Sequence, residues 1–109
     1  MPSKSAQLLV PAFVGLLALA STSAALASKE LAQANACLAC HALDRKLVGP
    51  AFQEVAKRYA GQGDAQAALA RSIKAGGAGK WGPVPMPAQA QLGEAEASAL
   101  AAWVLNGGK

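Results

Sequence analysis

The sequence predicts an all-α domain of four to five short helices. Two observations lead there. Apolar residues recur at three- and four-residue spacing in several stretches, while no stretch alternates apolar and polar residues as a half-buried strand would. The punctuation is also dense: Gly49-Pro50, Gly61-Gln62-Gly63, Gly76-Gly77 and Gly107-Gly108 cut the chain into short segments.

Taken in order, Ser28 is placed to cap a first helix with Leu31, Ala34 and Leu38 on one face, running directly into Cys37-Leu38-Ala39-Cys40-His41. Leu47-Val48-Gly49-Pro50 reads as a turn-rich loop. A second helix is expected at about residues 51–60, where Phe52, Val55, Ala56 and Tyr59 share a face and Gln53, Glu54, Lys57 and Arg58 take the other. Asp64 suits the cap of a third helix with Ala65, Leu69 and Ile73 inward, and Lys74 near its C-terminus complements the helix dipole. Residues 76–92 form a Gly/Pro-rich loop carrying Trp81 and Met86, longer than a small domain needs without a functional reason. The last helix is expected from near Glu94, burying Leu100, Trp103 and Val104 and ending at Gly107-Gly108.

The N-terminus has the three-part layout of a secretory signal: Lys4, an apolar run from Leu8 to Ala20, and small residues ending in Ala25-Leu26-Ala27. The apolar run contains Pro11 and is short for a membrane span. The expected organisation is a cleaved signal over residues 1–27 and one domain over residues 28–109, which implies export to the periplasm. Removing 27 of the 109 residues leaves 82. A core of that size supplies only about 3–5 kcal/mol unaided. The formal charge of +4 falls to +3 without Lys4. Basic residues are scattered, with no long run and no aromatic interleaving, which excludes a nucleic-acid-binding surface.

Both cysteines and the only histidine fall together as Cys37-Leu38-Ala39-Cys40-His41. Cys-X-X-Cys alone fits a thiol redox pair, a disulfide or half of a zinc site. Zinc would need further Cys or His ligands, and a thioredoxin-like site wants a preceding strand; the sequence offers neither. With His adjacent, the spacing is that of covalent haem attachment: each thiol adds to one vinyl group, and the imidazole ligates the iron. The expected cofactor is therefore one haem c held through Cys37 and Cys40, with His41 as one metal ligand.

The other axial ligand follows by elimination. The only methionines are Met1, in the expected signal, and Met86, in Trp81-Gly82-Pro83-Val84-Pro85-Met86-Pro87. Prolines fix φ and make that stretch a stiff loop, suited to holding a thioether at a set place. His41 and Met86 together would close both axial positions, leaving one-electron transfer as the chemistry.

These features together resemble a class I cytochrome c, of the small bacterial cytochrome c-551 (cytochrome c8) type. The stretches that carry the resemblance are Cys37 to Ala42, Val48-Gly49-Pro50-Ala51, Tyr59-Ala60-Gly61, Ile73-Lys74, Trp81 to Pro87 and Trp103-Val104-Leu105, in the family's order across the mature chain. The resemblance implies that the Pro50 carbonyl orients the His41 ring, that the Trp81 indole donates to a haem propionate, and that Gln89 stands where an amide can reach the methionine sulfur. Three positions depart from the pattern. Ser72 stands where the family commonly places Arg or Lys, with Arg71 the nearest cation one step round the helix, Ala36 stands where glycine is common, and Ala32 replaces an aromatic.

The expected function is a monohaem one-electron carrier rather than an enzyme, monomeric, exchanging electrons with redox protein partners. Those partners would meet an exposed haem edge ringed by Lys46, Lys57 and Lys80. The alternatives are a haem subunit of a larger oxidoreductase complex and a peroxidase-like or gas-binding protein with an open iron site.

Overall fold

The computed structural model describes residues 28–109 together with residues 3, 5 and 7–12. The expected cleavage site after Ala27 and most of the expected signal lie outside the described residues. Among the described residues no helix is long and apolar enough to cross a membrane.

Among the described residues five helices account for the regular structure. The described part of α1 covers residues 28–34. It is followed by α2 (Cys37–Cys40), α3 (Phe52–Tyr59), α4 (Ala65–Ala75) and α5 (Glu94–Leu105). No strand occurs among the described residues; the one β-type pairing is an isolated antiparallel bridge between Gly77 and Met86.

The first helix departs from expectation in two ways. Ser28 is already helical and buried, so it is not the cap, and the start of α1 lies outside the described residues. Nor does the helix run unbroken into the cysteine motif. Ala36 takes a left-handed conformation, φ 57° and ψ 23°, which stops α1 and lets α2 start afresh as a single turn. Leu38 therefore shares no continuous face with Leu31. The residue α1 buries most completely is Ala32, while Leu31 is half-buried and Ala34 exposed.

Helix α3 follows its pattern. Phe52, Val55 and Tyr59 are buried, with Glu54 in the first turn and Lys57 and Arg58 in the last, as the dipole favours. In α4 the buried face is Leu69, Ala70 and Ile73, and Ala65 is only half-buried. Asp64 occupies the N-cap position of α4, yet its side chain makes no capping hydrogen bond.

Helix α5 is the centre of the domain and packs against both α3 and α4. Its buried residues Ala97, Leu100, Ala101, Trp103 and Val104 join Ala32 of α1 in one hydrophobic cluster. Ala97 and Ala101 are fully buried. Burying Leu100 or Phe52 contributes about 1.5–3 kcal/mol each. At the start of α5, Glu96 Oε1 accepts from the Gly93 N–H at 3.1 Å. Glycine has no side chain to reciprocate, so only this half of a capping box exists. At the end, Gly107 N–H donates to Val104 O at 2.8 Å and Gly108 N–H to Trp103 O at 2.9 Å. Both glycines have positive φ, and this pair of bonds is a Schellman termination.

Candidate haem site

The helices leave between them a cavity of about 680 Å³. All six residues expected at the site, Cys37, Cys40, His41, Pro50, Trp81 and Met86, line it. The rest of the wall is mostly apolar, including Val55, Leu69, Ile73 and Leu100.

His41 is positioned by the loop that follows it. After α2 the backbone turns extended at His41 (φ −121°, ψ 145°). Gly49 N–H then donates to Cys40 O at 2.8 Å, and Phe52 N–H to Ala42 O at 2.9 Å, folding residues 41–52 back on themselves. This brings Pro50 O to 2.7 Å from His41 Nδ1. A carbonyl only accepts, so the ring proton is on Nδ1 and the lone pair is on Nε2. The imidazole stacks on Phe52, with centroids 5.1 Å apart and planes 20° apart, and Phe52 meets the Trp103 ring edge-on at 5.4 Å. Gly49 also lies against the ring: a Cβ there would sit 2.5 Å from His41 Cε1. Sequence reasoning treated Gly49 only as a turn residue. A Gly-Pro pair whose proline carbonyl was expected to face His41 was the signal that the preceding residue had to be small.

Met86 is placed by backbone. Met86 N–H donates to Gly77 O at 2.8 Å and Gly77 N–H to Met86 O at 3.0 Å. Gln89 N–H donates to Ile73 O at 3.2 Å, so the loop is tied to the end of α4 on either side of Pro87. Gly76 makes this approach possible, with φ 65° and ψ −165° and no room for a Cβ, which would sit 2.6 Å from Ala88 N.

Trp81 stands at the rim, partly exposed, with the Arg58 guanidinium 4.4 Å from its ring centroid. Arg58 also donates to Lys80 O at 2.5 Å, which holds the Trp81 loop onto α3. Lys80 Nζ donates to Tyr59 Oη at 2.9 Å, and that ammonium holds the Tyr59 phenol below its usual range. Of the lysines expected around the site, Lys46 and Lys80 line the cavity, whereas Lys57 pairs with Glu54 at 3.2 Å on the outer face of α3. Gln89 has partners within its own loop. Its amide nitrogen donates to Pro87 O at 3.3 Å, and its oxygen accepts from Gln91, which also donates to Asn35.

Cys37 and Cys40 are not joined to each other by a disulfide, and both line the cavity. Burial pushes the Cys37 thiol up from its ordinary value, the opposite of the depressed thiol of a disulfide-exchange site. Among the described residues no three His, Cys, Asp or Glu side chains cluster as a metal cage. A large, flat apolar group tethered by two thiols, beside one imidazole nitrogen and one thioether, fits this wall and donor set; zinc and thiol-exchange chemistry do not.

Comparison with known proteins gives the same reading. The family model described as cytochrome c matches residues 25–108. The chain is 53% identical over 78 residues to cytochrome c-551 of Pseudomonas denitrificans, covering 72% of this chain and 94% of that protein. It is 52% identical over 80 residues to cytochrome c-552 of Hydrogenobacter thermophilus, covering 73% and 81%. The crystal structure of wild-type Nitrosomonas europaea cytochrome c552 superposes with a TM-score of 0.69 at 45% identity, over 72% of this chain and 96% of that one. With two thiols and an adjacent histidine on an apolar cavity and relatives of this kind over most of its length, the chain belongs to the cytochrome c family and carries one haem c attached through Cys37 and Cys40.

Proposed function

We propose that the protein is a periplasmic one-electron carrier whose iron is held by His41 Nε2 and the Met86 sulfur. The observation that carries the reading is the convergence of these two side chains on one cavity, with the His41 tautomer set by Pro50 so that Nε2 is free to ligate. A haem held here would supply the redox chemistry, a one-electron couple of its iron.

The chain's own residues do the rest. Cys37 and Cys40 hold the cofactor covalently, so it is not lost between partners. The Pro50 carbonyl and the Phe52 face fix the imidazole plane and its basicity. Met86 contributes a soft, neutral donor, which favours the reduced metal relative to harder ligands. With His41 Nε2 and the Met86 sulfur both available to hold the iron, the site would offer no place for a small substrate, and ligands fixed by Pro50 and by the Gly77 bridge would keep the rearrangement on charge transfer small. Leu47, Val48, Trp81 and Val84 are exposed and all border the cavity. An apolar rim of this kind suits brief docking of redox protein partners, with Lys46 and Lys80 beside it. Export rests on Lys4, the apolar run and Ala25-Leu26-Ala27.

The test is the absorption spectrum in both redox states, compared with Met86→Ala. The wild type is expected to be low-spin, with a weak far-red band in the oxidised form. The variant keeps its haem, loses that band, binds carbon monoxide when reduced and shows a lower potential. A variant that retains both band and potential rules out Met86 as the ligand. Gel filtration of native periplasm should give a monomer; elution within a large complex would favour a subunit role.

A further inference from the structure

A cation stands at one end of the cavity with no acid to match it. Tyr59, Ser72, Lys80 and Trp81 bring a phenol, a hydroxyl, an ammonium and an indole N–H to a wall that is otherwise mainly apolar. No aspartate or glutamate lines the cavity. Among the described residues the ion pairs are Arg45–Asp44, Lys57–Glu54 and Lys74–Glu94, and Lys80 is in none of them. Its ammonium instead donates to Tyr59 Oη at 2.9 Å and lies 5.2 Å from that ring's centroid. Tyr59 is buried, so the phenol fixes the ammonium at the cavity edge instead of leaving it free in solvent.

Haem carries two carboxylates on an otherwise apolar ring. A carboxylate set against Leu69 or Ile73 would lose its hydration with nothing in return, whereas one set against these donors exchanges water for charge-assisted hydrogen bonds. Arg58 does not compete for this role: it does not line the cavity, and its guanidinium is committed to the Trp81 face and the Lys80 carbonyl. Lys46 does line the cavity, but among the described residues no side-chain hydrogen bond holds its ammonium there, as Tyr59 holds that of Lys80.

Resting on the haem reading above, we propose that Lys80, anchored by Tyr59, is the cation that binds a haem carboxylate, and that it sets the pH range over which that carboxylate ionises. The charged and titratable groups facing this end of the cavity are Lys80, Tyr59 and, through Trp81, Arg58; Lys46, His41 and the two thiols complete the titratable groups of the lining. An opposite charge within a few ångströms favours the ionised form of an acid. Lys80 therefore keeps the carboxylate charged to lower pH.

The experiment measures the midpoint potential against pH, from pH 4 to 9, for the haem-loaded wild type, Lys80→Gln, Lys80→Arg and Tyr59→Phe. The carboxylate gives an inflection, because its charge stabilises the ferric form. In Lys80→Gln the inflection is expected to rise by about one pH unit, a ten-fold weaker acid, or to enter the range if it lies below pH 4 in the wild type. Lys80→Arg should restore the wild-type profile, and Tyr59→Phe should move it upward by less than Lys80→Gln. An inflection unmoved in Lys80→Gln, or none in any of the four proteins, overturns the proposal while an intact haem spectrum leaves the function reading standing. Protein that carries no haem overturns both.

Discussion

Gly77 and Met86 exchange both of their backbone hydrogen bonds, at 2.8 and 3.0 Å, and this single bridge sets the Met86 side chain against the cavity. The neighbouring Gly76 has a backbone conformation that only glycine adopts readily, pressed against the Pro87–Ala88 peptide.

Gly76→Ala should therefore act on the iron from a distance. Backbone strain alone is about 1–3 kcal/mol, and the added Cβ pushes the Met86–Ala88 segment away from α4. The expected result is a lower melting temperature together with loss of the far-red band at a temperature well below global unfolding. Coincident loss of band and helix in both wild type and variant would show that the bridge does not position the methionine.

Ala36→Gly should stabilise the protein. The left-handed backbone at Ala36 costs an alanine about 1–2 kcal/mol, while glycine loses about 0.4–1 kcal/mol through its freer unfolded chain. The net gain is about 0.5–1 kcal/mol, measurable by denaturant titration with the haem spectrum unchanged. A loss of stability would contradict the left-handed turn between α1 and α2.

Without haem the chain should not fold. The pocket wall is formed by residues whose partner is the cofactor, and the remaining core leans on alanines 32, 97 and 101. Replacing both Cys37 and Cys40 by alanine is expected to give low helicity and no cooperative melt by circular dichroism. A sharp haem-free transition would mean that the polypeptide core suffices.

Acid should weaken the junction of α4 and α5. Lys74 Nζ donates to Glu94 Oε1 at 2.6 Å, and this bond, with the Lys74 charge, holds the Glu94 carboxyl below its ordinary value. Such a group contributes stability that is present above its unfolded-state pKa and lost as pH falls through the lower folded-state value. Glu94→Gln should flatten that part of the acid limb of a melting-temperature profile. The carboxylate is solvent-exposed, so the difference should be small and should shrink further in high salt. Identical acid limbs at low salt would show that the pair contributes nothing.

What the sequence made legible follows from how rare its informative residues are. One histidine, two cysteines and one methionine beyond Met1 leave few ways to build a site, and prolines around Met86 announce a rigid loop. Helices α3 and α5 were readable because Phe52, Tyr59, Leu100 and Trp103 are large and periodic. Small residues carried the rest. Ala36 is a good helix former by propensity, and nothing local marks it as the break that tertiary packing imposes. Ala32 gives no amphipathic signal, though it is among the most buried residues. The constraint at Gly49 comes from a ring eight positions earlier, and the contacts of Gln89 with Pro87 and Gln91, and of Gln91 with Asn35, are not brought together by spacing alone.

The column of rings His41, Phe52 and Trp103 has a consequence for the order of assembly. Chain synthesis is vectorial, so the Cys37–His41 pentapeptide is made before the indole that backs it. Until α5 arrives, Phe52 lacks its edge-on neighbour and the imidazole rests on an unsupported face. If haem is attached before α5 packs, the thiols would meet the porphyrin on a chain that has not closed, and closure would follow attachment instead of obstructing it. A truncation that removes Trp103 should then still acquire haem but should not lock it in place.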